Sequence, residues 1–168
     1  MRPILQVEDD ANDVFLLQHA MTTAGVDNPI QVATDGRQAV DYLSGTGAFA
    51  DREKFPLPCL VLLDLKLPYL MGLDVLKWIR QQPGPVLIVI MLTASGEDED
   101  IASAYRLGAN AFLTKPSKAS SLVEMARAIK DFWLLQNTLP QEMEAISNAP
   151  EPLTRASQSA RRTTSSTR

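Results

Sequence analysis

Five short apolar runs, each followed by an amphipathic segment, constrain this chain more than any other feature. The runs lie at 4–7, 30–33, 59–63, 86–92 and 111–113. They are nearly continuous rather than alternating, the pattern of strands covered on both faces. Helical spacing follows each one. Asn12 or Asp13 is placed to cap a helix running to Ala24, with Val14, Leu17, Met21 and Ala24 on one face. Asp35 caps a segment over 37–43, with Ala39, Val40 and Leu43 in register. A helix over 72–82 carries Leu73, Leu76 and Ile79 and stops at Pro83-Gly84-Pro85. One over 98–107 carries Ile101, Ala104 and Tyr105 and ends at Gly108. The last begins at Ser120 or Ser121, with Leu122, Met125, Ala126, Ile129 and Trp133 in register. Five strand-then-helix units in a row give an α/β fold, a parallel sheet with helices on both faces.

Two stretches depart from the rhythm. Residues 44–58 form a long connection with glycines, prolines and charges, read as a surface loop. From Pro140 the chain turns polar and ends in ARRTTSSTR. The expected organisation is one domain over 1–139 and a disordered tail over 140–168.

A parallel sheet of this kind gathers its chemistry at the carboxyl ends of the strands. The first run ends in Glu8-Asp9-Asp10, the third in Asp64, the fourth in Thr93-Ala94 and the fifth in Thr114-Lys115-Pro116. One edge thus collects carboxylates, a hydroxyl and an ammonium. Crowded carboxylates raise one another's pKa unless a cation intervenes, and Mg²⁺ takes a few carboxylate oxygens and otherwise water or phosphate. A phosphoryl group there would meet charge neutralisation and positioning, which is what its transfer requires. Asp64 is the nucleophile in this reading. Asp10 reads as a helix start with favourable dipole charge.

The motifs VEDD at 7–10, LLDLKLPYLMGLDVL at 62–76, MLTAS at 91–95 and GANAFLTKP at 108–116 resemble the receiver domains of bacterial response regulators, over roughly 3–135. The resemblance implies a doubly wound, five-stranded, flavodoxin-like fold. It implies a phosphoacceptor Asp64, and Mg²⁺ bound by Glu8, Asp9, Asp64 and the backbone carbonyl of Lys66. It also implies that Thr93 and Lys115 contact the phosphoryl oxygens. Phe112 falls where the family has an aromatic switch residue; core packing and a switch role carry equal weight. Lys66 and Ser95 flank the path of an attacking water, so both are expected to influence acyl-phosphate lifetime. The connection at 44–58 and the ending DFWLLQNTLP are similar to single-domain regulators paired with phytochrome-type histidine kinases. That similarity implies a sensor histidine kinase as partner.

Phe132, Trp133, Leu134 and Leu135 are consecutive and cannot all face one core. Tail cover and a homodimer or kinase contact are the two readings, with Phe132 and Trp133 as interface candidates. The net charge of -4 gives no general attraction to nucleic acid. The stretch after Pro140 is too short and polar for a DNA-binding module. No run approaches a membrane span. A single cysteine, Cys59, forbids an intrachain disulfide and reads as a buried, inert thiol. The expectation is a cytoplasmic protein, away from membranes and nucleic acid, that is a phosphoacceptor rather than a turnover enzyme. Two rivals remain. A Mg²⁺-dependent aspartyl phosphohydrolase would want an acid where Lys66 stands. A phosphorylation-independent interaction module would not need the intact set Glu8, Asp9, Asp64, Thr93 and Lys115.

Overall fold

The computed structural model describes residues 1–84, 86–94 and 96–138. Ten regular elements alternate: β1 (Ile4–Val7), α1 (Ala11–Thr23), β2 (Ile30–Ala33), α2 (Gly36–Ser44), β3 (Leu60–Leu63), α3 (Gly72–Gln81), β4 (Ile88–Thr93), α4 (Asp98–Arg106), β5 (Ala111–Thr114) and α5 (Ala119–Ile129). All strands are parallel, in the order β2-β1-β3-β4-β5. Chain order reverses between β1 and β3, which opens a crevice beyond their carboxyl ends. Val7 pairs with Leu63 there, so the residues that follow each emerge side by side.

The sheet divides two cores. Leu5, Val7, Val61, Leu63, Val89 and Met91 face α2 and α3, with Tyr42, Val75, Leu76 and Ile79. Ile4, Leu60, Leu62, Ile90 and Leu92 face α1 and α5, with Leu17, Met21, Ala126 and Ile129. Adjacent strand residues point to opposite faces, and both faces are covered, which is why these strands read as nearly continuous apolar runs.

The element ends refine the sequence reading. Asp10, not Asn12 or Asp13, caps α1, because its Oδ1 accepts the amides of Asn12 at 2.8 Å and Asp13 at 3.1 Å. The fourth strand begins at Ile88 rather than Val86, opposite Leu60, where β3 begins and first offers a partner. Val86 is left 60% exposed. The last helix opens at Ala119, after Lys118, without a side-chain cap. Tyr105, expected on the inner face of α4, is 52% exposed, and Ala104 takes the inner position.

The connection over 44–58 is more than a surface loop. A turn of 3₁₀ helix (Gly47–Phe49) brings Phe49 to within 5.3 Å of the Tyr42 ring, and Phe55 closes the cluster at 5.1 Å from Phe49. The Tyr42 hydroxyl donates to the Pro56 carbonyl at 2.8 Å. Arg52 donates to the carbonyls of Tyr42 and Leu43 at 2.7 Å, satisfying acceptors that the end of α2 leaves open. Cys59 is half-buried, and burial pushes its thiol above the ordinary range.

Beyond α5, Lys130–Gln136 continues as π-helix. Trp133 and Leu134 pack onto the α1–α5 core, while Phe132 and Leu135 are 52% and 68% exposed. The four consecutive apolar residues therefore split between core and surface. Among the described residues, no helix is long and apolar enough to cross a membrane. The expected tail over 140–168 lies outside the described residues.

Candidate functional site

The crevice between β1 and β3 holds the acidic site. Glu8 leaves the end of β1 almost fully buried, its amide bonded to the Ala33 carbonyl at 2.9 Å. Asp9 follows on the exposed rim. Asp64 leaves β3 beside them, 9% exposed, its amide bonded to the Val7 carbonyl at 3.1 Å. Its Oδ1 accepts the Leu65 amide at 2.6 Å. One carboxylate oxygen each from Glu8, Asp9 and Asp64 lies within 4.8 Å of the others.

The loop after Asp64 is held by close packing. A Cβ on Gly72 would sit 2.0 Å from the Asp64 carbonyl oxygen, so α3 can start against the β3 end only with glycine. Tyr69 adopts φ +64°, a strained conformation for a non-glycine residue, and its ring lies 5.7 Å from the Arg37 guanidinium carbon. The Lys66 side chain, two residues past Asp64, is exposed.

Thr93 ends β4 and is 2% exposed. Its carbonyl accepts the Lys115 amide at 2.7 Å, which fastens the fifth strand end to the fourth. The Lys115 ammonium reaches back over the sheet to three carboxylates. It is hydrogen-bonded to Glu8 Oε2, lies 2.9 Å from Asp13 Oδ2, and is 3.5 Å from Asp64 Oδ2. Burial pushes the Glu8 carboxyl above its usual range, against the pull of Lys115. Burial lowers the Lys115 pKa, and its hydrogen bonds to Glu8 and Asp13 outweigh that effect and leave it raised. Burial is thus the main cause of the Glu8 shift, and the neighbouring carboxylates are the cause of the Lys115 shift.

Phe112, on β5, packs against the core on the α2 and α3 side. Its ring also meets the loop after Thr93, since a Cβ on Gly96 would come within 2.7 Å of Phe112 Cε1 and Cζ. Core residue and neighbour of the site are thus both true of Phe112. Ser95 lies outside the described residues.

The sequence reading brought Glu8, Asp9, Asp64, Thr93 and Lys115 to one edge, and they meet there. It missed Asp13. The available signal was spacing: with Asp10 as the cap, Asp13 falls in the first turn of α1 and can turn back toward the strand ends. Sole histidine His19 is exposed on α1, its ring stacked 6.2 Å from Phe15, away from any such cluster.

A parallel five-stranded sheet with this acidic crevice is the architecture of a receiver domain, and residues 4–127 match the family model described as the response regulator receiver domain. The chain belongs to that family, with its flavodoxin-like fold. It is 38% identical over 138 residues to the response regulator Rcp1 of Synechocystis sp., covering 82% of this chain and 92% of the relative. The Mn²⁺-bound crystal structure of Rcp1 superposes with a TM-score of 0.73 at 35% identity, covering 83% of this chain and 99% of that one. The phosphorylated cyanobacterial phytochrome response regulator RcpA gives 0.75 at 34% identity, over 83% of this chain and 98% of that one. RPA3017, a response regulator in red light signalling of R. palustris, gives 0.75 at 35% identity, over 82% of this chain and 98% of that one. The chain is a response regulator receiver domain homologous to phytochrome response regulators of two-component systems.

Proposed function

We propose that Asp64 accepts a phosphoryl group from a sensor histidine kinase, and that the resulting acyl phosphate changes which partners the protein binds. The observation that carries this reading is the convergence of Glu8, Asp9, Asp64 and Lys115 beyond the β1 and β3 ends. Hard oxygen donors within 4.8 Å and a surplus of carboxylates suit Mg²⁺. Glu8, Asp9, Asp64 and the backbone carbonyl of Lys66 would hold it, and when bound it supplies charge neutralisation at the transferring phosphoryl group.

An Asp64 carboxylate oxygen forms the new bond to phosphorus while the P–N bond of the phosphohistidine breaks, its electron pair returning to the imidazole. Lys115 offers its ammonium to a phosphoryl oxygen, and Thr93 offers its hydroxyl. Thr93 and Phe112 meet the same loop, so a shift of that loop toward the phosphoryl group changes the space open to the Phe112 ring. The surface formed by α4, β5 and α5 changes with it.

On α1, the helix that supplies Asp13, Phe15 and Leu16 are 67% and 45% exposed, an apolar surface next to the site for the incoming kinase. Phe132 and Leu135 offer a second apolar surface, suited to a homodimer or the kinase. Trp133 supports that surface from beneath, in edge contact with Phe132 at 4.8 Å. A phytochrome-type kinase is the favoured partner, on the likeness to RcpA and RPA3017.

The test is incubation with acetyl phosphate and Mg²⁺, read by intact mass and size-exclusion elution. Wild type gains a single phosphoryl group and Asp64→Asn gains none. An unmodified wild type, even after rapid trapping, would overturn the reading.

A further inference from the structure

Asp13 stands outside the trio of carboxylates that gathers for a cation, yet it touches Lys115 more closely than Asp64 does, at 2.9 Å against 3.5 Å. An ammonium has three N–H donors. Glu8, Asp13 and Asp64 accept all three. The Asp64 contact is the longest of the three, so a phosphoryl oxygen arriving on Asp64 competes for an ammonium held chiefly by Glu8 and Asp13.

Between these two, solvent decides which one yields. The Glu8 side chain is 4% exposed and that of Asp13 is 36% exposed. A carboxylate stripped of its partner away from water bears its full desolvation penalty, whereas one at the rim is rehydrated as it lets go. Of the two closer carboxylates, Asp13 is thus the one lost more easily.

We propose that Asp13 is a positioning residue that holds Lys115 in the unphosphorylated protein and gives it up to the phosphoryl group on Asp64. This rests on the reading of Asp64 as phosphoacceptor. The Asp13–Lys115 pair stabilises one state only, so removing it favours the other. The exchange also frees the Asp13 side chain, two residues before exposed Phe15.

The test is calorimetric titration of the full chain with beryllofluoride, a mimic of the phosphoryl group, in the presence of Mg²⁺. Asp13→Asn should bind it roughly two- to five-fold more tightly than wild type, the span expected of a partly exposed ion pair. Asp13→Glu should return affinity toward wild type. A purely structural role for Asp13 could not tighten binding.

Asp10→Asn is the control for bulk charge. It removes a neighbouring negative charge, keeps an equally good helix cap, and leaves Lys115 alone, since the Asp10 carboxylate takes only the Asn12 and Asp13 amides. Equal tightening in Asp10→Asn and Asp13→Asn would overturn the proposal, as would unchanged or weaker binding by Asp13→Asn. If wild type neither binds beryllofluoride nor accepts a phosphoryl group, the role of Asp64 falls and that of Asp13 with it. Binding by wild type without tightening in Asp13→Asn removes only the latter.

Discussion

Replacing Lys115 with methionine keeps the length of the side chain and deletes the one cation that three carboxylates share. The consequences differ among the three. Asp13, 36% exposed, is rehydrated and contributes little to the loss. Glu8 and Asp64 side chains are 4% and 11% exposed and cannot hydrate fully. Removing one partner of a buried ion pair typically costs about 3–5 kcal/mol, and the open edge of the crevice brings this site to just below that range, at about 2–3 kcal/mol. With a urea slope of about 2 kcal/mol per molar, the midpoint should fall by about 1–1.5 M at pH 7 in the presence of EDTA. Mg²⁺ should recover much of the loss, because the surplus negative charge is what the substitution exposes. Acidification should also shrink the deficit. Lys115, with the Asp10 amide, limits how far burial raises the Glu8 pKa, so without Lys115 Glu8 takes a proton at higher pH and ceases to be an unpaired anion. An EDTA midpoint for Lys115→Met within about 0.2 M of wild type would refute this electrostatic account of the crevice.

Wild-type stability should carry the signature of Glu8 itself. Its folded-state pKa is raised above the ordinary value of 4.5, so its favourable contribution is complete below that value and is lost as pH rises through the folded pKa. Glu8→Gln should flatten this part of the pH profile in EDTA, as read by thermal melts from pH 4 to pH 8. Gly96→Ala puts a methyl group into the Phe112 ring, and overpacking of this kind costs about 1–3 kcal/mol unless the ring swings away. The expected outcome is a changed Phe112 environment without any phosphodonor, seen by fluorine NMR of labelled phenylalanine; an unmoved Phe112 resonance counts against coupling between this loop and the ring. Tyr42→Phe should lose about 1 kcal/mol in urea unfolding, because the Pro56 carbonyl keeps no hydroxyl partner from Tyr42. Lys66→Asn should alter acyl-phosphate decay, followed by intact mass, and an unchanged decay rate would remove Lys66 from the lifetime.

What could be read from the sequence was whatever repeats along it or falls at an element end. Buried strands announce themselves through ILQV and LVLL because both faces are covered, and Asp64 stands out because a carboxylate follows such a run. The packed aromatic cluster of the second connection was hidden. Tyr42, Phe49 and Phe55 are separated by glycine, charge and proline, and nothing local says that their rings meet. Arg52 looked like one more loop charge, although it closes the end of α2. Strand limits were missed for a related reason: Val86 and Leu87 are as apolar as Ile88, and only the start of β3 decides where pairing begins.

Asp13 was hidden by a competition between two physical roles. Asp and Asn are both good helix caps, and DDAND offers four candidates within five residues, so propensity alone could not assign them. Once Asp10 takes the two amides, Asp13 is free to pair with a lysine 102 residues away. That assignment gives the charge balance of the crevice. Glu8, Asp9, Asp13 and Asp64 contribute four negative charges there, and Lys115 is the ammonium that bonds three of them. A divalent cation lowers the surplus, and an arriving phosphoryl group restores part of it while competing for the same ammonium. The carboxylate best placed to be released is the one that water can reach. The crevice is therefore poised by an imbalance of charge, and the α1 turn carrying Asp13 is the element on which that imbalance acts.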